Sequence, residues 1–292
     1  MDKKYLLINS RKHGFFSIFL HTLDRIIYSD LNNLIPVINW KKDNFLYYDS
    51  NLQNYKNCWE YYFENINDYN LSNIDLTNTI QCDDFTNPPI VEFCFRGYFG
   101  HKIDHEKFKQ KRIFINKYIS NIKIKKNIIS KIENFKLKNF KNNKILGLHI
   151  RGTDRWTEFG KKIYSKFENY EYLLDEEMKN YDKLFICSDS EESIEYFSKK
   201  YNNVIFYDSY RTKKHAGESI HFNKGNYETG EQVLCESYLM SNCDKLIISD
   251  SNVTIASLYF NPNLSYKYIA FSLAVINITF SSICLILLLS NL

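Results

Sequence analysis

The chain has 292 residues, 44% hydrophobic and 25% charged, with 23 Tyr and 22 Phe against only nine Gly. That composition excludes disordered, collagen-like and low-complexity classes and leaves room for one large or two smaller domains with real cores. The 38 Lys and Arg against 34 Asp and Glu leave a formal charge of +4, too mild to imply a nucleic-acid partner.

The N-terminus, MDKKYLLINSRK, has only a short apolar run between basic residues, which reads as neither signal peptide nor anchor. Residues 5–8 (YLLI) predict a strand. Gly14 then opens a helical repeat of Phe15, Ile18, Phe19, Leu23, Ile26 and Ile27. Strand, turn and helix make the start of an α/β unit. Residues 34–39 (LIPVIN) read as a second strand, with Pro36 favouring its edge or start. Residues 43–65 are aromatic and polar. Residues 66–95 read as irregular, broken by Pro88 and Pro89.

From His101 to Lys144 the chain turns basic, with 14 Lys and Arg against three Asp and Glu. Ile113, Ile119, Ile122, Ile128, Ile129 and Ile132 give it helical periodicity. Segment 102–144 is either a solvated helix face or a surface for anionic lipid. A second α/β pattern follows. Strands are expected at 145–150, 183–187, 203–207 and 245–249, with helices over 167–181, 191–201, 231–242 and 253–259. Strands that each end in polar residues, with helices between, predict a parallel sheet with its functional groups at the carboxyl edge. The expected division is an N-terminal unit over 1–140, a C-terminal unit over 141–267 and an apolar tail over 268–292. No residue after Lys267 is charged. As a helix the tail would span roughly 37 Å, enough for a bilayer core of about 30 Å. It reads either as a membrane anchor or as a buried terminal element.

Seven Cys, an odd number with no CxxC, argue against a disulfide framework and a zinc knuckle. GxGxxG, GxxxxGK[ST] and HExxH are absent, and no strand ends in DxD, so no metal ligand set is expected. The strongest local pattern is His149-Ile-Arg151-Gly152-Thr153-Asp154-Arg155 at the end of a strand. Arg151 can grip a diphosphate bidentately, with Arg155 close by in sequence. Asp154 can hold an arginine or a sugar hydroxyl, and Glu158 is an acid/base candidate. Alternatively, the cluster is an ion pair closing a strand end. Ser188-Asp189 ends the next strand, either accepting from a ribose or base or capping the following helix. Ser249-Asp250-Ser251-Asn252 ends the last strand, as an anion nest or a simple cap. Gly14 is a weaker phosphate-loop candidate. Glu236 is an odd residue to bury without a role.

The His149-x-Arg151-x-x-Asp154 pattern resembles the HxRxxD-type motif of the GDP-fucose-dependent fucosyltransferases, which include the alpha-1,6, nodulation-type, alpha-1,2 and protein O-fucosyltransferases. The Ser188-Asp189 strand end is similar to the family's second motif, and residues 231–257 to its third. Gly14-Phe15-Phe16 and residues 36–40 also fit, so the resemblance covers roughly 1–265. It departs in one place: the alpha-1,6 and alpha-1,2 groups have a second Arg where Gly152 stands here.

This resemblance implies a GT-B-like fold of two Rossmann-like domains with mostly parallel sheets. It implies a metal-independent inverting transfer of fucose from GDP-fucose, without a cofactor. Arg151 would hold the diphosphate and His149 would sit near the sugar–phosphate. Asp189 would approach the guanosine, and Ser249 and Ser251 the phosphates. Asp154 or Glu158 would be the base. The expected acceptor is a glycan or lipid-linked saccharide, worked on at the cytoplasmic face of a membrane or in the cytoplasm during bacterial surface glycan synthesis. A degenerate membrane-tethered binding protein and a transferase of another GDP-sugar are the rival expectations.

Overall fold

The computed structural model describes residues 3–52, 54, 55, 57–82, 105–152, 167–213, 220, 224–249 and 251–269. Two parallel sheets organise them. The first contains β1 (Tyr5–Asn9), β2 (Ile35–Asn39) and β3 (Thr79–Cys82) in the order β2-β1-β3. β1 is buried at all five positions and central, whereas β2, which carries Pro36, lies at an edge. An edge strand tolerates the missing N–H of proline.

The second sheet contains β4 (Ile145–Ile150), β5 (Lys183–Ser188), β6 (Val204–Phe206), β7 (Lys245–Ile248) and β8 (Ser265–Tyr268), in the order β6-β5-β4-β7-β8. All its pairings are parallel. β4 is buried at all six positions, as expected of a central strand covered on both faces. Two carboxylates secure its entry: Asp244 accepts from the Ile145 N–H at 2.7 Å and Asp182 from the Lys144 N–H at 2.6 Å.

The helices are α1 (Phe15–Leu31), α2 (His105–Ile119), α3 (Lys126–Asn139), α4 (Glu168–Glu177), α5 (Glu191–Lys200), α6 (Tyr227–Met240) and α7 (Asn252–Phe260). Together the two sheets and their helices form the GT-B-like α/β architecture expected from sequence. The many aromatic side chains have a clear use. Phe15, Phe19, Trp40, Trp59, Tyr62 and Phe63 build one fully buried cluster with α1 at its centre. Phe15 meets Tyr62 edge-on at 4.9 Å and Trp59 lies 4.3 Å from Phe63, ring centre to ring centre. Edge-on ring pairs of this kind add to the simple burial of area.

Three features differ from the sequence expectations. β3 forms inside the stretch read as irregular. β8 runs into the apolar tail and takes in its first residue: Tyr268 pairs with Ile248, and the Ile269 N–H donates to the Ile248 carbonyl at 2.9 Å. α6 begins four residues before Glu231 with a reciprocal cap, in which Asn226 accepts from the Thr229 N–H and Thr229 Oγ1 accepts from the Asn226 N–H.

The basic stretch folds into α2 and α3, which each bury one stripe and expose the rest. α2 buries Phe108, Arg112, Ile115 and Ile119 and packs on α7, while α3 buries Ile128 and Ile132 and packs on α6. Arg112 donates to the carbonyls of Pro262 and Leu264, the latter at 2.8 Å, and lies 5.4 Å from the centre of the Tyr266 ring. Asn116 donates to the carbonyls of Tyr259 and Phe260 at 2.8 and 3.2 Å, which satisfies the C-terminal end of α7. No helix among the described residues is long and apolar enough to cross a membrane, and residues 270–292 lie outside them.

Candidate active site

A cavity of about 340 Å³ opens between the two sheets. Its walls come from the β1–α1 turn, the carboxyl ends of β4 and β5, the segment after β6, one face of α6 and the start of α7. This volume lies at the lower end of the range for small-molecule sites.

The strand register brings the second-sheet residues together. His149 pairs with Cys187 and Ile150 with Ser188, so β4 and β5 end level. His149 is buried and faces the cavity, and Arg151 lines it just beyond the strand. Asp189 follows β5, and its Oδ1 accepts from the Gly152 N–H at 2.7 Å. That bond fixes the backbone on which Arg151 is carried. Ser188 also lines the cavity, and its Oγ accepts from the Ser190 N–H at 3.2 Å.

Two helix N-termini meet the same space. Gly14 precedes α1, and the first amide of that helix, the Phe15 N–H, donates to the Tyr47 hydroxyl at 2.9 Å. Ser251 caps α7 by accepting from the Val253 N–H at 3.3 Å. Asn252 follows, with a buried Oδ1 that has no hydrogen-bond partner among the described residues. Helix N-termini carry a partial positive charge and unsatisfied N–H groups, the ingredients of an anion site. Thus His149, Arg151, Ser188, Asp189, Ser251, Asn252 and Gly14 converge on one cavity. Ser249 is buried beneath it, not on its wall, and its carbonyl accepts from Thr254 Oγ1 at 3.1 Å. Asp154, Arg155, Glu158 and Asp250 lie outside the described residues.

The structure adds His13 and gives surroundings to Glu236, the acidic residue already noted in the sequence. His13, next to Gly14, lines the cavity; burial, and then the charge of Arg11, lowers its pKa and favours the neutral ring. Glu236 reaches the cavity from α6 and is buried. Its Oε1 accepts from Ser209 Oγ at 3.0 Å and from Arg211 at 2.8 Å, and its Oε2 accepts from the Cys187 thiol at 3.3 Å. Burial raises the Glu236 pKa, while the Arg211 charge and the bonds from Cys187 and Ser209 oppose that rise. Burial and the neighbouring Glu236 charge push the Cys187 pKa well up, which keeps it a thiol donor. Among the described residues, no group of three or more His, Cys, Asp or Glu could hold a metal ion.

Tyr62 packs on the cavity-lining Phe15, donates its hydroxyl to the Tyr227 carbonyl of α6 at 3.1 Å and stacks on the Tyr227 ring at 5.5 Å. Gly230 sits one turn along. A Cβ there would lie 2.4 Å from the Tyr62 hydroxyl and 2.8 Å from its Cζ. Glycine inside this helix is therefore a close-approach residue.

Comparison with known proteins places this arrangement. The profile of the nodulation protein Z (NodZ) family matches residues 103–277. No curated protein matches the sequence. Among solved structures, the fold is similar to fucosyltransferase NodZ from Bradyrhizobium, with 17% identity and a TM-score of 0.55 over 94% of this chain and 96% of that one. A NodZ alpha-1,6-fucosyltransferase co-crystallised with GDP shares 15% identity with a TM-score of 0.52, over 88% of this chain and 92% of that one. POFUT1 in complex with GDP shares 8% identity and a TM-score of 0.52, over 92% of this chain and all of that one (100%). At these identities the structural likenesses speak for the fold, while the profile covers more than half the chain. The chain therefore belongs to the NodZ family, within the GDP-fucose-dependent fucosyltransferase superfamily that its HxRxxD-type motif resembles.

Proposed function

We propose that this protein transfers fucose from GDP-fucose to a hydroxyl of a glycan or lipid-linked saccharide, with inversion and without a metal ion. The observation that carries the reading is the convergence of Arg151, His149 and Asp189 with the N-termini of α1 and α7 on one cavity. GDP carries charge on its diphosphate and gains more as the glycosidic bond breaks. In this reading the Arg151 guanidinium stabilises that gain, and the two helix N-termini hold the remaining phosphate oxygens. His149 stands beside the sugar–phosphate bond and Asp189 faces the guanosine. Among the described residues, Glu236 Oε2 accepts one bond, and it has a second acceptor position for a ligand. The pairing edge of guanine presents N–H donors that suit it. Asp154 or Glu158, in the segment after Gly152, is the base that takes the acceptor proton.

Nucleotide panels test the donor. GDP at a hundred times its Kd should stabilise the protein by about 2.7 kcal/mol and raise Tm accordingly. EDTA should not diminish the shift, and UDP, CDP and TDP should give less. A protein that responds to none of them, or only with added divalent metal, would sink the proposal.

We also propose that the exposed face of α2 and α3, together with residues 270–292, holds the catalytic body at the cytoplasmic face of a membrane during bacterial surface glycan synthesis. α3 supports it by exposing Leu137 beside Lys138, with exposed Lys141 just past its end. Binding to vesicles containing anionic lipid should be lost in high salt and weakened by deletion of residues 270–292. Equal binding to neutral vesicles would refute it. A degenerate tethering protein would bind those vesicles just as well but show no loss of function on Arg151→Ala.

A further inference from the structure

Arg211 stands behind the cavity wall and does not line it. It lies on the segment after β6 and is buried. Its guanidinium is engaged by protein groups on every nitrogen. Nε donates to the Ser188 carbonyl at 3.0 Å, and one terminal nitrogen donates to the Ser209 carbonyl at 2.9 Å. The other donates to the Tyr207 carbonyl and to Glu236 Oε1, both at 2.8 Å. One side chain thus joins the end of β5, the segment after β6 and helix α6, three of the elements that wall the cavity.

We infer that Arg211 is a positioning residue for nucleotide recognition: it keeps the Glu236 carboxylate ionised and aimed at the cavity, and so sets the preference for a guanine base. This inference rests on the donor reading proposed above. The chemistry is a balance of charges around one carboxylate. Among the described residues, Arg211 is the cation within ion-pair distance of Glu236, whereas Asp189 across the β5 end adds negative charge. The remaining groups that face it, Cys187 and Ser209, supply neutral hydrogen bonds. Without Arg211, burial and Asp189 act unopposed by any cation in contact among the described residues, and the carboxylate takes up a proton at higher pH. A protonated Glu236 offers fewer acceptor positions to a base with N–H donors on its pairing edge.

The test is calorimetric titration of GDP and CDP into wild type, Arg211→Gln, Arg211→Lys and Glu236→Gln between pH 5.5 and 8.5, with Tm followed over the same range. CDP is the control because two acceptors stand beside the single amino donor on its pairing edge. Wild type should favour GDP across the range. Arg211→Gln should lose about tenfold or more in GDP affinity at the acid end, as expected for a lost bond to a charged group, and recover part of it as pH rises. Its CDP affinity should change little. Its Tm should move the other way, since a buried carboxyl with a raised pKa adds stability as it gains a proton and loses it as pH rises. Arg211→Lys, which keeps a cation, should retain the wild-type pH profile even at reduced affinity. Glu236→Gln should bind GDP weakly at every pH.

Opposite pH slopes for GDP affinity and stability would not arise from a purely structural role. Parallel losses of GDP and CDP affinity without a pH slope overturn the inference, as do unchanged ratios in Arg211→Gln and Arg211→Lys. If Arg211→Gln fails to fold, the Arg211→Lys and Glu236→Gln profiles decide by the same criteria. A wild type that prefers GDP beside variants that behave alike leaves the donor reading standing and removes only this inference. A wild type that binds neither nucleotide removes both.

Discussion

Replacing Arg151 by alanine should lower kcat for fucosyl transfer by about 10²–10³-fold, the range seen when one preorganised transition-state donor is removed. Tm should stay within a few degrees of wild type. Two facts about the residue separate these effects. Arg151 lies just beyond β4 and is only partly buried, so its loss opens no core cavity. Yet its backbone is held in place, because the next amide, Gly152 N–H, is fixed by Asp189. The guanidinium is thus carried on a rigid mount at the point where two helix N-termini already concentrate positive potential. Charge developing on a leaving diphosphate would meet it without reorganisation. Arg151→Lys keeps the charge but loses the planar fork, so it should restore only part of the rate. Transfer at the wild-type rate by a folded Arg151→Ala protein would refute the role.

The second large effect concerns folding. In an ordinary helix interior, Gly→Ala stabilises by roughly 1 kcal/mol. At Gly230 the sign should reverse, with Gly230→Ala destabilising by about 1–3 kcal/mol, the usual cost of overpacking. The new methyl would sit 2.4 Å from the Tyr62 hydroxyl. Tyr62 cannot swing away, because it is fully buried between Phe15 and Tyr227. Tyr62→Phe removes the nearest clashing atom, so in that background the alanine should cost about 0.5–1 kcal/mol less, a coupling of the size found between residues in contact. Urea denaturation of the four proteins measures the cycle. A stabilised Gly230→Ala would show that Tyr62 has room to move. Donor KM should also rise, since Gln232, Val233 and Glu236 line the cavity from the same helix.

Much of the fold was legible because central parallel strands write themselves as unbroken apolar runs. ILGLHI and KLFIC could be read at sight, and the polar residues that ended them marked the cavity rim. β3 could not be read this way. Its four residues, TIQC, sit at a sheet edge with two exposed positions, so no periodicity separates them from a loop. β8 was hidden for the opposite reason, since its SYKY leads straight into an apolar run that dominates any hydropathy reading. The start of α6 lies four residues ahead of the expected 231 and carries its own sign in Asn226 and Thr229, three residues apart.

Within the candidate site, the residues adjacent to strand ends were readable as motifs, because chain connectivity alone puts them at one edge of the sheet. Arg211 and Glu236 were not readable as a pair. They lie 25 residues apart on different elements, and only packing brings their charges to 2.8 Å. Glu236 could be noticed as an acidic residue inside an apolar helix, but the cation that satisfies it lies in a polar stretch with no pattern of its own.

Helix α7 gives the basic segment a reach that its surface position conceals. At one end its cap, Ser251, faces the donor cavity; at the other its carbonyls are held by Asn116 of α2. Nine residues of helix make a strut of roughly 13 Å. That one helix joins α2, part of the basic segment, to the wall of the cavity.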